Sequence, residues 1–264
     1  GTAIGMAMNG LRPVCEMQFS GFSYLMVGQW EGHASRYRAR THSRFGLPLV
    51  VRMPYGGGVR ALEHHSESRE ATYAHMPGTK MVICSGPRNA RALLAASIQD
   101  PDPVVFFEPK HSYRAFKEEV PDEPEAFEIG KAAVVQPGEK VTVICWGAML
   151  KPVLAAVEQI EQQRGSGTVE LIDLQTIAPM DTPAIVESVK KTGRCVVIQE
   201  APKSFSCASE IVAVLNDQCL EYLEAPVKRV TGFDVVTPYF GREQTYIPKP
   251  AWAVDAITET LDYR

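Results

Sequence analysis

The sequence predicts an α/β fold made of two doubly wound domains, each built on a parallel sheet. Short apolar segments of strand length alternate with segments of helical periodicity along almost the whole chain. The strand segments are apolar on both faces, which is typical of parallel sheets covered by helices on each side. The length of 264 residues and the hydrophobic content of 45% suffice for two cores of ordinary size.

One stretch interrupts this alternation and predicts the division of the chain. Residues 118–128 are acidic, contain two prolines and have no apolar period, so we interpret them as an exposed linker. We therefore expect a first domain over residues 1–120, a linker over residues 121–128 and a second domain over residues 129–264.

The predicted elements of the first half are separated by longer loops than those of the second. In order, they are a helix over 3–8, a strand over 12–18, a helix over 24–38, a strand over 47–52, a helix over 69–75, a strand over 80–84, a helix over 89–98 and a strand over 104–107. Gly10 ends the first helix, and three glycines at 56–58 follow the second strand.

The second half alternates more regularly. Its predicted elements are a strand over 141–145, a helix over 153–160, a strand over 169–174, a helix over 182–192, a strand over 195–198, a helix over 211–223, a strand over 227–230 and a helix over 252–261. Thr182 and Pro183 supply an N-cap and a first-turn proline. Ile211 and Leu215 begin an apolar stripe that recurs every four residues.

Composition excludes several classes of protein. The 27 basic and 31 acidic residues give a net charge of −4, which argues against broad binding to nucleic acids or to membrane surfaces. No apolar run approaches the roughly 18 residues that a membrane span requires, and no secretory leader is recognisable. The six cysteines form no C-x-x-C pair, so we expect buried, reduced thiols of a cytosolic type of protein.

The stretch from Arg52 to His75 carries the residues best suited to chemistry. Its three glycines follow a strand, where the backbone turns sharply and approaches a ligand closely, but they match no phosphate-binding motif. His64 and His65 follow, between two glutamates. One of them is a candidate proton donor or acceptor near neutral pH, and a hydrogen-bonded surface pair is the equal alternative.

Two further groups have a structural and a functional interpretation. Phe19, Phe22 and Tyr24 follow the first strand; core packing is the favoured interpretation, and a face that stacks on a flat heterocycle is the alternative. Asp100 and Asp102 lie in an Asp-Pro repeat. A turn before the next strand is favoured there over a site for a hard cation.

Nine collinear motifs together resemble one known family over almost the whole chain. They are GTAIG at 1–5, EMQF at 16–19, RYR at 36–38, PYGGG at 54–58, HSES at 65–68, DPDPVVFFEPK at 100–110, IGKA at 129–132, EAP at 200–202 and EAPVKRVTG at 224–232. The chain resembles the β subunit of the thiamine-diphosphate-dependent decarboxylase component of 2-oxo acid dehydrogenase complexes. The pyruvate, branched-chain and acetoin enzymes share this subunit.

The resemblance implies a fold, cofactors and partners. It implies a pyrimidine-binding domain followed by a transketolase C-terminal-like domain, in an α2β2 assembly whose α subunit holds the diphosphate of thiamine diphosphate through Mg²⁺. The chain agrees in lacking a Gly-Asp-Gly diphosphate motif. The further partner is a lipoyl-bearing acyltransferase, which receives the acyl group after decarboxylation. The expected location is the cytoplasm of a bacterium or the mitochondrial matrix.

The same resemblance implies roles for particular residues. Phe22 corresponds to the aromatic residue that stacks on the pyrimidine, Gln18 lies beside it, and His65 corresponds to the active-site histidine. A potassium site, made mostly of backbone oxygens, maps to six positions: Leu47, Leu49, Val50, Ser97, Asp100 and Asp102. The family's catalytic glutamate is expected upstream of Gly1, so the chain is expected to lack an N-terminal segment.

Two alternatives remain open beside a pyruvate or branched-chain enzyme. One is the β subunit of an acetoin-cleaving complex. The other is a non-catalytic homologue that retains the fold and the subunit interface.

Overall fold

The described residues, 1–123 and 125–264, form two five-stranded sheets in the computed structural model of the chain. The strands are β1 (Val14–Glu16), β2 (Val50–Tyr55), β3 (Lys80–Ile83), β4 (Val104–Pro109), β5 (Ala133–Gln136), β6 (Val141–Cys145), β7 (Val169–Asp173), β8 (Thr176–Ala178), β9 (Cys195–Ile198) and β10 (Lys228–Val230). The α-helices are α1 (Thr2–Met8), α2 (Tyr24–Gln29), α3 (Tyr37–Arg40), α4 (Glu70–Ala74), α5 (Pro87–Gln99), α6 (Leu150–Arg164), α7 (Thr182–Thr192), α8 (Cys207–Cys219) and α9 (Pro250–Leu261).

Each sheet has four parallel strands and one antiparallel edge strand. The first has the order β1-β2-β4-β3-β8, with β8 antiparallel to β3. The second has the order β10-β9-β6-β7-β5, with β5 antiparallel to β7. The predicted α/β class with two helix-covered sheets is confirmed.

The two antiparallel strands are the elements that the apolar pattern missed. β5 exposes Val134 and Val135, so it lacks the doubly buried character that marked the other strands. β8 has only three residues and begins three residues after the end of β7, and the apolar pattern did not separate it from that strand. Although β8 comes from the second half of the sequence, it pairs with β3 of the first sheet. The predicted domain boundaries at residues 120 and 129 stay a prediction.

One continuous core cluster runs through both halves. It joins Tyr55 and Phe107 of the first sheet to Ile144 and Trp146 of the second, all of them nearly inaccessible to solvent. Each such side chain contributes roughly 1.5–3 kcal/mol by burial. The cysteines are free thiols, five of them buried, as the sequence predicted.

The predicted helix over residues 24–38 is divided in the structure. α2 is followed by a π-helical turn, Trp30–Ala34, and then by α3. Gly28 and Gly32 weaken regular helix in this segment. The wider turn accompanies full burial of Trp30, whose Nε1 donates to Oγ1 of Thr79 at 2.9 Å.

The acidic stretch is fixed to helix α5 by arginines. Arg88 donates from its backbone to Glu118 at 2.8 Å and pairs with Glu125 at 2.6 Å. Arg91 donates to the carbonyl of Asp122 at 2.9 Å. None of the helices described here combines the length and apolar character that crossing a membrane requires.

Candidate active site

The carboxyl ends of three neighbouring strands bring the candidate residues together. β1, β2 and β4 lie side by side in parallel, so the segments that follow them meet at one edge of the first sheet. These segments are the 3₁₀ turn Ser20–Phe22 after β1, the glycine loop after β2, and the 3₁₀ turn Lys110–Ser112 after β4. We call this region the carboxyl edge.

His65 is held among aromatic rings at the carboxyl edge. It lies in the 3₁₀ turn Glu63–His65, with its ring centroid 4.6 Å from that of Phe19 and 5.1 Å from that of Phe22. Its Nδ1 is buried and has no hydrogen-bond partner among the described residues. His64 is instead exposed, so the two histidines are not an equivalent surface pair.

Gly21 allows the turn that carries Phe22 to pack closely on the turn that carries the two histidines. A Cβ on Gly21 would lie 1.8 Å from the carbonyl oxygen of His64, a distance that no side chain tolerates. The turn that carries the histidines therefore packs directly on the turn that carries Phe22. Gly56 and Gly58 have φ angles of 80° and 89°, in the left-handed region that favours glycine.

The aromatic group after β1 is not core packing. Phe22 is 37% exposed, and Phe19, Phe22 and Tyr24 all lie outside the buried core clusters of the part of the chain that the structure describes. Gln18 is exposed beside them. This arrangement favours the alternative interpretation, in which the rings form a face for a flat ligand.

Lys110 is a charged residue of the site that the sequence did not single out. It is only 8% exposed, its Nζ lies 5.0 Å from the Phe19 ring centroid, and no described residue hydrogen-bonds it. Burial lowers the pKa of Lys110 to about 8, against the opposing effect of nearby Glu200 and Glu243. The signal for it was a lysine directly after the buried strand β4.

Two glutamates of the second half reach the glycine loop of the first. Oε1 of Glu200 accepts from the backbone N–H of Gly57 at 2.5 Å. The carboxylate of Glu243 accepts from the N–H groups of Gly58 and Arg60, each at 2.9 Å. Burial raises the pKa of Glu200 to about 7. Glu200 lies two residues after the end of strand β9, but nothing local indicated that Glu243 is buried.

Two further buried carboxylates, those of Glu70 and Asp173, contact residues of the other half of the chain. Glu70 accepts from Nε1 of Trp146 at 3.2 Å, and its other oxygen has no partner among the described residues. Asp173 accepts from Oγ of Ser85 at 3.0 Å, and burial raises its pKa to about 7. The Ser85–Asp173 contact joins the carboxyl end of β3 in the first sheet to that of β7 in the second.

The predicted potassium residues lie at the opposite, amino edge of the first sheet. Nζ of Lys80 binds the Asp100 carboxylate at 2.6 and 2.7 Å, and Nε of Arg38 binds Asp102 at 2.6 Å. Arg12 donates to the carbonyl oxygens of Ile98 and Asp100 at 2.7 and 3.2 Å.

The other predicted potassium positions are also engaged within the chain, and a site made of main-chain oxygens stays a prediction. The Ser97 hydroxyl donates to the carbonyl of Leu93 at 2.7 Å, and the carbonyl of Leu49 accepts from the N–H of Val104. Leu47 and Val50 are buried and offer main-chain oxygens only. No group of three metal-binding side chains occurs within residues 1–123 and 125–264.

Comparison with known proteins now identifies the fold and the family. Residues 1–115 match the transketolase pyrimidine binding domain, and residues 130–251 match the transketolase C-terminal domain. The chain is 47% identical over 250 residues to the pyruvate dehydrogenase E1 component subunit beta of Acholeplasma laidlawii, covering 95% of the chain and 76% of that protein. The chain belongs to the E1 β-subunit family of 2-oxo acid dehydrogenases.

Other relatives extend this family assignment. The Bacillus subtilis pyruvate dehydrogenase E1 component subunit beta is 40% identical, with 100% of the chain and 80% of the relative covered. The mitochondrial 2-oxoisovalerate dehydrogenase subunit beta of Dictyostelium discoideum is 42% identical, with 100% and 71% covered. The chain is therefore an E1 β subunit, the decarboxylase type of subunit that its motifs resembled.

A solved structure supports the fold of this E1 β subunit independently. A split-gene transketolase, described as an inactive beta4 tetramer, superposes with a TM-score of 0.80 at 21% identity, covering 99% of the chain and 79% of the solved chain. At this identity the likeness concerns the fold alone.

Proposed function

We propose that this E1 β subunit supplies the pyrimidine side of a thiamine diphosphate site shared with an α subunit, in an α2β2 assembly. The α subunit would hold the diphosphate through Mg²⁺, and a lipoyl-bearing acyltransferase would receive the product. One observation carries the proposal: His65 presents a buried, unpartnered Nδ1 beside the exposed ring of Phe22 at the carboxyl edge.

The residues of the carboxyl edge fit the pyrimidine ring. Phe22 offers an exposed aromatic ring on which a flat heterocycle can stack, and Gln18 lies exposed beside it. Its neighbour Tyr24 is fixed by hydrogen bonds to the Glu67 carboxylate and by the Arg69 guanidinium, 3.8 Å from its ring centroid. The stacking face therefore has rigid surroundings.

When bound, thiamine diphosphate would supply the carbanion chemistry that decarboxylation of a 2-oxo acid requires. Overall, a 2-oxo acid, a lipoyl disulfide and one proton yield carbon dioxide and an S-acyl dihydrolipoyl group. The disulfide accepts the two electrons, and one of its sulfurs takes up the proton. We assign His65 to proton transfer in this reaction, because its unpartnered Nδ1 beside Phe22 can donate or accept a hydrogen bond to a reacting group.

Lys110 suits the anionic part of the substrate. Its ammonium group is buried beside Phe19, which also contacts His65, and it has no hydrogen-bond partner among the described residues. A 2-oxo acid carries one carboxylate, and a charge-assisted hydrogen bond would satisfy both groups. We therefore assign Lys110 to the substrate carboxylate.

Reconstitution tests the proposed function. The full-length chain is co-expressed with its α subunit, and carbon dioxide release and acylation of a lipoyl domain are measured with pyruvate, 3-methyl-2-oxobutanoate and acetoin. The proposal expects both signals with pyruvate or the branched-chain acid, and only in the presence of thiamine diphosphate. Turnover of acetoin alone would identify an acetoin-cleaving subunit, whereas an assembled complex without any turnover would identify a non-catalytic homologue.

A further inference from the structure

The loop that carries His65 has a backbone conformation that is unfavourable by itself. Three of its residues have left-handed backbone: Gly56, Gly58 and Arg60, the last at a φ of 56°. Glycine tolerates this conformation, but arginine adopts it only against the clash of its Cβ. Such backbone persists where the surroundings determine it, and it concentrates at functional sites.

Carboxylates from the second half of the chain provide those surroundings. Oε1 of Glu243 accepts from the N–H of Gly58 and its Oε2 from the N–H of Arg60, so both oxygens are used within three residues of loop. Glu243 has no solvent exposure. The adjacent N–H of Gly57 is taken by Glu200.

The rest of the loop transmits this constraint to His65. The loop is closed at its base by the N–H of Gly56, which donates to the carbonyl of Glu67 at 3.1 Å. Glu243 itself lies in the 3₁₀ turn Phe240–Thr245. Glu243 therefore holds the loop between its base at Gly56 and the 3₁₀ turn Glu63–His65.

We propose that Glu243 is a positioning residue for His65: it fixes the left-handed backbone at Gly58 and Arg60, and thereby the turn that presents the imidazole. The inference rests on the proposed role of His65. It also assigns a function to the contact between the two halves of the chain, because the residue that holds the catalytic loop lies in the other half.

The chemistry of Glu243 sets the choice of variant. The two N–H donors bond to different oxygens of Glu243, and a carboxylate provides both acceptors in a charge-assisted form. Glutamine has the same shape but one acceptor oxygen, so Glu243→Gln places an amide N–H₂ against a backbone donor. Glu187→Gln is the matched control, since Glu187 is exposed on helix α7.

The test uses the full-length α2β2 complex and three readouts. Hydrogen exchange of the peptide covering residues 56–67 should be about tenfold faster in Glu243→Gln than in wild type or Glu187→Gln. Lipoyl acylation should fall about 10- to 100-fold, whereas decarboxylation driven by ferricyanide should fall less than about threefold. In a chain that already carries His65→Ala, Glu243→Gln should lower the acylation rate by less than about a further twofold, because both substitutions act through the same imidazole.

A second variant separates positioning from a general loss of structure. Arg60→Gly removes the Cβ from the left-handed position, so the double variant Glu243→Gln/Arg60→Gly should regain a large part of the acylation rate. Unchanged loop exchange in Glu243→Gln overturns the inference. Equal losses in both half reactions, additive with His65→Ala, also overturn it. Loop exchange is measured without substrate, so a failure of the proposed function alone leaves that readout intact.

Discussion

The amino and carboxyl edges of the first sheet both contain a lysine with low exposure, but only the lysine at the amino edge has a hydrogen-bond partner among the described residues. At the amino edge, Lys80 binds Asp100 through two contacts, and Arg38 binds Asp102. At the carboxyl edge, Lys110 is more deeply buried than Lys80, yet it and Nδ1 of His65 have no hydrogen-bond partner in the described residues. The same sheet thus carries a paired lysine at one end and an unpaired lysine at the other.

This difference distinguishes residues that stabilise the fold from residues that we propose contact a ligand. A buried polar group without a partner costs free energy of folding, so it persists where function requires it. At the amino edge the carboxylates are already paired with Lys80 and Arg38, so a bound cation would add little stabilisation there. The carboxyl edge leaves an imidazole, an ammonium group and an exposed aromatic ring for other molecules.

The largest expected effect concerns catalysis at the carboxyl edge. Replacing His65 by alanine should lower lipoyl acylation by about 10²- to 10⁴-fold, the usual contribution of a general acid or base. Thiamine diphosphate binding should change by less than about twofold, because Phe22 and Gln18 remain. Acylation rates and cofactor titration of the α2β2 complex measure both quantities.

The neighbouring histidine provides the control for this prediction. His64→Ala removes an exposed imidazole of the same turn and should leave acylation within about twofold of wild type. Unchanged turnover in His65→Ala would contradict the assignment of the active-site histidine. Equal losses in the two variants would indicate damage to the turn.

The second effect concerns stability at the amino edge. Lys80→Met should lower the free energy of unfolding by about 2 kcal/mol, because it leaves the Asp100 carboxylate, 12% exposed, without its cation. The measurement is urea unfolding at pH 7. Lys228→Met breaks the exposed pair with Glu259 and should cost less than about 0.5 kcal/mol. Similar losses in the two variants would refute the distinction.

The sequence predicted features of these two edges that depend on neighbouring residues, and it did not predict features that depend on contacts between residues far apart in the chain. Strands and helices follow from local apolar periodicity, so the order of elements was predictable, whereas motif resemblance assigned a role to His65 that stays a prediction. The inward side chain of His65 and the outward one of His64 were not predictable, because Gly21 decides them across more than 40 residues. Glu243 is further still from Gly58, and no local pattern records a contact of that separation.

The third effect has the opposite sign to the second. Lys110→Met should raise the free energy of unfolding by about 1 kcal/mol at pH 7, since it removes a buried ammonium group that has no hydrogen-bond partner. It should also raise the KM for the 2-oxo acid about tenfold if Lys110 binds the carboxylate. Destabilisation with an unchanged KM would contradict both parts.

The pH dependence of this variant provides a further check. Because burial lowers the pKa of Lys110 to about 8, the unfolded chain binds more protons at this residue between pH 8 and the ordinary lysine value. The wild type should therefore gain stability relative to Lys110→Met as the pH rises above 8. Urea unfolding of both proteins at pH 7 and pH 9.5 measures the difference, and a constant difference would contradict the lowered pKa.

The smallest effect concerns the predicted potassium site. Lys80 and Arg38 neutralise the two carboxylates and Arg12 binds two carbonyls, so a cation at the amino edge has main-chain oxygens as its remaining ligands. Such a site is weak, and a cation present at its Kd adds only about 0.4 kcal/mol to stability. Exchange of potassium chloride for choline chloride at equal ionic strength should therefore change the free energy of unfolding by less than about 1 kcal/mol. A potassium-specific gain of several kcal/mol would mean that the amino edge also binds a ligand, and that its charges are less completely satisfied than the contacts indicate.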